Sequence, residues 1–176
     1  GFSVIAEQTH ELKIAGTGTA RTVFLHDLLL EAANGRPLDL AAHHQRLEDC
    51  FLAIWRGDAH NDLFNRLIVG SWLNWREAAL MRAYSSYLRQ IGAPFGQIYV
   101  AQTLCQHGAI VADLVALFHV LFVPGRSGTI EERHAEAKPV VARIEAALEN
   151  VKSLDEDRMI RRILNLVQST IRTNFY

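Results

Sequence analysis

Apolar residues recur in two rhythms along this chain, and the change comes near residue 57. Residues 2–7 and 21–30 are dense in Val, Ile, Phe and Leu, with Gly16-Thr17-Gly18 between them. They read as strands joined by turn material, with room for a third strand around 11–14. Asn34-Gly35 followed by Pro37 marks a loop. Asp39 can then cap a helix running to about Arg56, because Leu40, Leu47, Phe51, Ile54 and Trp55 recur at helical spacing. Gly57 supplies a stop.

Beyond Gly57 the helical period takes over. A short helix is predicted over 61–70, with Leu63, Phe64, Leu67 and Ile68 on one side. Asn74 with Glu77 three residues on has the form of a capping box. It opens a helix to about Ile91 that would bury Ala79, Leu80, Ala83, Tyr84, Tyr87, Leu88 and Ile91. Gly92-Ala93-Pro94 ends it. A helix over 95–106 follows, and His107-Gly108 reads as its C-cap. Residues 109–122 are apolar enough to lie in the middle of a core, and Pro124-Gly125 ends them. After a turn at 126–128, Thr129 with Glu132 repeats the capping pattern. The polar helix it opens reaches about Asn150, and Pro139 is expected to kink or split it. Ser153 with Glu156 starts the last helix, whose stripe is Met159, Ile160, Ile163, Leu164, Val167 and Ile171. The fold class is therefore mainly α: a small α+β portion followed by a helical bundle.

Composition narrows the partners. The chain has 176 residues and is 49% hydrophobic, enough to bury a core. Its 18 basic and 19 acidic residues leave a net charge of −1. That balance gives no electrostatic reason to expect nucleic acid or an anionic membrane. No apolar run approaches the roughly 20 residues of a membrane helix; the longest, 110–123, is interrupted by Asp113 and His119. Gly1-Phe2-Ser3-Val4 lacks the basic and apolar regions of a secretory signal. The expected compartment is the cytoplasm, with Cys50 and Cys105 as buried thiols; nothing in the spacing asks for a disulfide. The chain opens without Met inside an apolar run and stops at Asn174-Phe175-Tyr176 without a polar tail. Both ends read as those of a piece of something longer.

The search for chemistry returns little. Gly16-Thr17-Gly18-Thr19-Ala20-Arg21 starts like a dinucleotide fingerprint, but Arg21 stands where the third glycine belongs and a strand follows instead of a helix. Pyrophosphate needs that turn to feed a helix N-terminus, so a hairpin is the better reading. Eight histidines show no metal-ligand spacing: His43 and His44 would point about 100° apart on a helix. His119, alone in an apolar helix, reads as a hydrogen-bonded core or interface residue rather than a ligand. Ser85 and Ser86 lie between two tyrosines inside a helix, a poor place for an activated hydroxyl. The acidic pairs Glu131-Glu132 and Asp155-Asp157 sit at helix starts, where the macrodipole favours them. No metal, cofactor or catalytic residue is assigned to this stretch.

Two stretches, 55–66 and 75–90, carry more Trp, Arg and Tyr than packing needs. Arg82 and Arg89 lie seven apart and so share a helix face. Planar guanidinium groups beside tyrosines suit either an interdomain contact or a solvated face over core rings.

At these stretches the chain resembles a family. Trp-Arg-Gly at 55–57, Asn-Asp-x-Phe-Asn-Arg-Leu at 61–67, Trp-Arg-Glu at 75–77, Arg-Ala-Tyr at 82–84 and Tyr-Leu-Arg-Gln at 87–90 resemble the middle of the large bacterial-type NAD-specific glutamate dehydrogenases. So does Leu-Phe-His-Val-Leu-Phe-x-Pro at 117–124. Ser-Leu-Asp-Glu-Asp-Arg at 153–158, Arg-Arg-Ile-Leu-Asn-Leu at 161–166 and Thr-x-Arg-Thr-Asn-Phe-Tyr at 170–176 are similar to the run before that family's dehydrogenase domain. Two positions depart from the pattern: His60 stands where the family often has Glu, and Leu63 where it usually has Gly.

The resemblance implies an internal segment of an enzyme that converts L-glutamate and NAD to 2-oxoglutarate, ammonium and NADH. Residues 1–57 would belong to a partial ACT-like portion, 58–128 to a helical region, and 129–176 to a helical pair leading into the catalytic domain. NAD would bind elsewhere in the full enzyme, a homo-oligomer, and no catalytic residue matches a position here. Contacts to neighbouring domains are expected at Asn61, Asn65, Arg66, Arg76, Arg82, Arg89, Arg161, Arg162 and Arg172. The alternative is a free-standing helical module that binds protein or nucleic acid.

Overall fold

The computed structural model describes residues 2–14, 21–32, 35, 39–125 and 129–176. The expected turn at Gly16-Thr17-Gly18, Asn34 and Pro37 of the next loop, the turn at 126–128 and the side chain of Leu40 lie outside the described residues. The chain divides into two compact units, Gly1–Asp39 and Leu40–Tyr176.

The first unit is a hairpin. β1 (Phe2–Ile14) pairs antiparallel with β2 (Arg21–Ala32). The separate strands expected at 2–7 and 11–14 are one strand, because the polar residues between them pair too: Gln8 faces Asp27, and Thr9 faces His26. Thr9 and Glu7 both hydrogen-bond the His26 ring, at 3.1 and 3.0 Å. The register shifts between Val4 and Ala6, which leaves Ile5 as the extra residue of a bulge. Apolar side chains are exposed on both strands, among them Ile14, Phe24, Leu25 and Leu29.

The second unit runs through α1 (Leu40–Arg56), a 3₁₀ turn (Leu63–Arg66), α2 (Leu67–Gly70), α3 (Trp75–Gln90), α4 (Gln97–Gln106), α5 (Gly108–Phe122), α6 (Ile130–Leu148) and α7 (Leu154–Ser169). The helix expected over 61–70 is thus a 3₁₀ turn passing into one turn of α-helix. α5 lies at the centre, as its composition predicts, with Leu114, Leu117 and Phe118 fully enclosed. Met81 and Leu88 of α3, Leu104 of α4, Ile144 of α6 and Ile160 and Ile163 of α7 close around it. Cys50 of α1 joins a smaller cluster with Ile68 and Ala78. Both cysteines are free, and burial pushes both thiols above their ordinary pKa. Among the described residues, no helix is long and apolar enough to cross a membrane.

The expected faces need four corrections. On α3 the inward face is Ala78, Met81, Arg82, Tyr84, Ser85 and Leu88, while Tyr87 and Ile91 are exposed. Arg82 turns inward because a carboxylate waits there. On α1, Phe51 and Trp55 stack on each other and face out. Pro139 does not split α6, which is one helix around it. A proline in a helix interior costs about 3 kcal/mol or more, and buried Ala137, Val140 and Ile144 hold the turns on either side. Ile171 leaves the α7 stripe: the helix stops at Thr170, whose backbone is extended, and Ile171 is exposed.

His107 is the C-cap of α4, as expected, but Gly108 after it is not a stop. α4 and α5 meet there at 98°, and Gly108 is the first residue of α5. A Cβ at Gly108 would sit 2.6 Å from the Gly70 carbonyl oxygen. Glycine is required by that close approach. A second local strain lies nearby, where Trp72 takes φ of 54°. A side chain there costs of order 1–2 kcal/mol. Stacking on His43 and a hydrogen bond from Arg46 to the Trp72 carbonyl hold it in place.

Candidate functional site

Three polar ties cross the helical unit, and one binds the segment after α7 to the core. The first begins at Asp62. Its carboxylate accepts from the Phe64 amide at 3.0 Å and so caps the 3₁₀ turn. The same carboxylate receives a fork from Arg82, Nε at 2.6 Å and Nη2 at 2.8 Å. Arg82 also donates to Asn65 Oδ1 at 3.2 Å and lies over the Phe64 ring. Asn65 spends its amide on the His60 carbonyl. Burial works to raise the Asp62 carboxyl, but the Arg82 hydrogen bonds and charge, with the Phe64 amide, outweigh it and hold the pKa below the usual range. Sequence spacing hides this fork, since its members lie 20 residues apart.

The second tie is made by a capping residue put to other use. Ser153 caps α7 as expected, accepting from the Glu156 amide at 3.4 Å. The Glu156 carboxylate is engaged by His107 Nε2 at 3.0 Å, with both side chains largely enclosed. This fastens the α4–α5 corner to the start of α7.

The third tie gathers the most groups. Asn74 and Glu77 form the full capping box of α3, and Glu77 Oε1 is also 2.8 Å from His119 Nε2. The other ring nitrogen of His119 lies 2.6 Å from the Tyr176 hydroxyl. In the neutral ring, Nε2–H donates to the carboxylate and Nδ1 accepts from the phenol, which assigns the tautomer. Burial first, then the Glu77 charge, raises the Tyr176 pKa and keeps that phenol a donor.

Arg76 donates to the Phe175 carbonyl and lies over its ring. Phe175 meets Phe118 edge to face at 5.3 Å. Tyr84 donates to Thr170 Oγ1 at 2.9 Å, and that hydroxyl donates to Leu166 O at 2.7 Å. Residues 170–176, beyond the end of α7, are thereby strapped across α3 and α5. His119 is hydrogen-bonded and partly enclosed, as expected from its place in an apolar helix.

The residues expected at domain contacts divide by position. Arg82 and Asn65 are spent inside the unit. Arg76 holds the strap. Arg161 pairs with Asp157 and Glu149. Arg162 lies over the Phe95 ring. Asn61, Arg66, Arg89 and Arg172 are exposed. The spacing gave no sign of Glu77, Tyr84, Thr170, Phe175 and Tyr176 as partners of these groups, because each bond joins distant parts of the chain. Among the described residues, no three His, Cys, Asp or Glu side chains converge as a metal site would require.

The comparisons fall on the same helices. A family model described as glutamate dehydrogenase, helical motif 3, matches residues 59–124. A second, described as the catalytic domain of bacterial NAD-glutamate dehydrogenase, matches residues 143–176. NAD-specific glutamate dehydrogenases of Pseudomonas aeruginosa and Halomonas elongata are 38% and 37% identical over the whole chain. That of Mycobacterium tuberculosis is 42% identical over 77% of it. The chain belongs to the NAD-specific glutamate dehydrogenase family. It spans only about a tenth of the first two relatives, 11% and 10% of their lengths.

The two glutamate dehydrogenase models meet inside one core. The first contributes Arg76, Glu77, Tyr84, Phe118 and His119. The second contributes Thr170, Phe175 and Tyr176, the groups those residues hold. The catalytic-domain match also takes in α7, which the resemblance places ahead of the dehydrogenase domain.

Proposed function

We propose that this chain is a non-catalytic coupling segment of an NAD-dependent glutamate dehydrogenase. In that reading the whole enzyme oxidises L-glutamate with NAD and water to 2-oxoglutarate, ammonium and NADH, in amino-acid catabolism in the cytoplasm. The segment fixes the start of the catalytic region on a rigid helical base. The observation that carries this is the strap: residues of the catalytic-domain match, 170–176, are held by Arg76, Glu77, Tyr84 and His119 of the helical-motif match. A polar network of this kind specifies one position for the segment it holds.

The hairpin and the exposed stacked face of α1 would complete an ACT-like module with neighbouring domains. Asn61, Arg66, Arg89 and Arg172 would also meet such neighbours, within a homo-oligomer. The reacting groups and the NAD site lie in other parts of the enzyme. Calorimetric titration of the chain with NAD tests this: no heat of binding is expected, together with no dehydrogenase activity. Micromolar NAD binding would end the reading.

A further inference from the structure

A cleft of ≈ 680 Å³ opens between the loop before α4 and the first half of α7. Phe95, Gly96 and Tyr99 form one wall, and Asp155, Arg158 and Arg162 the other. Its size lies within the range of small-molecule sites. Arg161 also borders it, but its guanidinium is spent on Asp157 at 2.8 Å and Glu149 at 3.2 Å. Arg158 and Arg162 differ: neither makes an ion pair or side-chain hydrogen bond among the described residues.

These two arginines stand four residues apart on α7, so they share a face. Like charges at that spacing repel one another. Asp155 is the acid on this wall, and it makes no ion pair with either arginine among the described residues. Arg162 is also pre-positioned: its guanidinium lies 5.8 Å from the centre of the Phe95 ring, which is itself stacked on Tyr99. Held against a ring, a guanidinium keeps its N–H edges free for a fork to an oxyanion, at little further cost in ordering. Arg158, one turn earlier, supplies a second fork.

We propose that this cleft binds a phosphate-bearing small molecule, with a diphosphate bridging Arg158 and Arg162. A nucleoside diphosphate and free pyrophosphate share that chemistry. The proposal stands apart from the coupling role: NAD carries its diphosphate only as an internal diester, with fewer charges and no terminal phosphate to fork, so its expected lack of binding and the binding of a terminal diphosphate are separate outcomes.

Calorimetry of the full 176-residue chain with inorganic pyrophosphate, ADP and adenosine tests it. Pyrophosphate and ADP should each bind one per chain, and adenosine alone should not. ADP binding tighter than pyrophosphate names a nucleotide as the source; equal affinity names the bare diphosphate. R158A and R162A should each weaken binding about tenfold or more, the loss of one charge-assisted fork. D155N removes the opposing charge and should tighten binding. Absence of heat with both phosphates at millimolar concentration overturns the proposal, and so does equal affinity in wild type and the R158A/R162A double variant. All three side chains lie on the surface, so unchanged melting curves will show that the variants are folded.

Discussion

The hairpin and the helical unit spend their apolar residues in opposite ways. In Leu40–Tyr176 the large side chains of α3, α4, α6 and α7 close on α5, and Leu114, Leu117, Met159 and Ile163 lose all contact with water. In the hairpin nearly every residue of both strands is exposed, apolar ones included. Two strands with twelve paired positions still make only a ladder, and an isolated two-stranded hairpin is marginal in water. The helical unit is therefore a self-supporting body. The hairpin is the part whose stability has to come from something laid against it.

The largest test of that contrast is a pair of leucine truncations. Leu114→Ala opens a cavity at the centre of the core and should cost about 3 kcal/mol in urea unfolding. Leu25→Ala, on an exposed strand, should change the same transition by no more than about 0.5 kcal/mol. Equal losses would break the contrast.

An intermediate effect belongs to the Asp62–Arg82 fork. Arg82→Ala leaves Asp62 and Asn65 without their donor. It should cost about 2 kcal/mol, less than a fully buried pair because the carboxylate is partly open to water. The fork also sets a pH dependence. The folded pKa of Asp62 lies below its unfolded value, so the stabilisation is fully present above about pH 4 and is lost as pH falls through the folded value. Asp62→Asn should therefore flatten the stability curve on the acid side of pH 4 and leave its slope near neutrality unchanged, which acid titration by circular dichroism would read.

The smallest effect sharpens the comparison inside the helical unit. His119→Ala removes the ring that joins Glu77 to Tyr176 and should cost about 1 kcal/mol globally. Amide exchange should quicken at 170–176 well before it does in α5. Uniform protection across both would mean that the strap is fastened by other contacts.

Much of this architecture was legible in the residues. The capping boxes at Asn74 and Thr129 and the apolar run of α5 fixed where helices start and which one is central. Those signals are local, so a single sequence carries them. What could not be read depends on partners far along the chain. α3 turns a different face inward because Asp62 draws Arg82 under it. Gly108 looks like a helix stop, yet it serves an approach to Gly70 that no local pattern encodes. Glu156 looks like a capping residue until His107 takes its carboxylate. Family motifs marked Asn61 to Leu67 and Thr170 to Tyr176 as special without saying which side chains meet.

Trp55, at 79% exposure, gives the molecule an optical reporter. Its indole should emit at long wavelength while it faces water, and Trp72 and Trp75, partly shielded, should emit further to the blue. Any neighbour that settles on the Phe51–Trp55 face of α1 would shift the spectrum and shelter the ring from soluble quenchers, so assembly can be followed by light without attaching a dye.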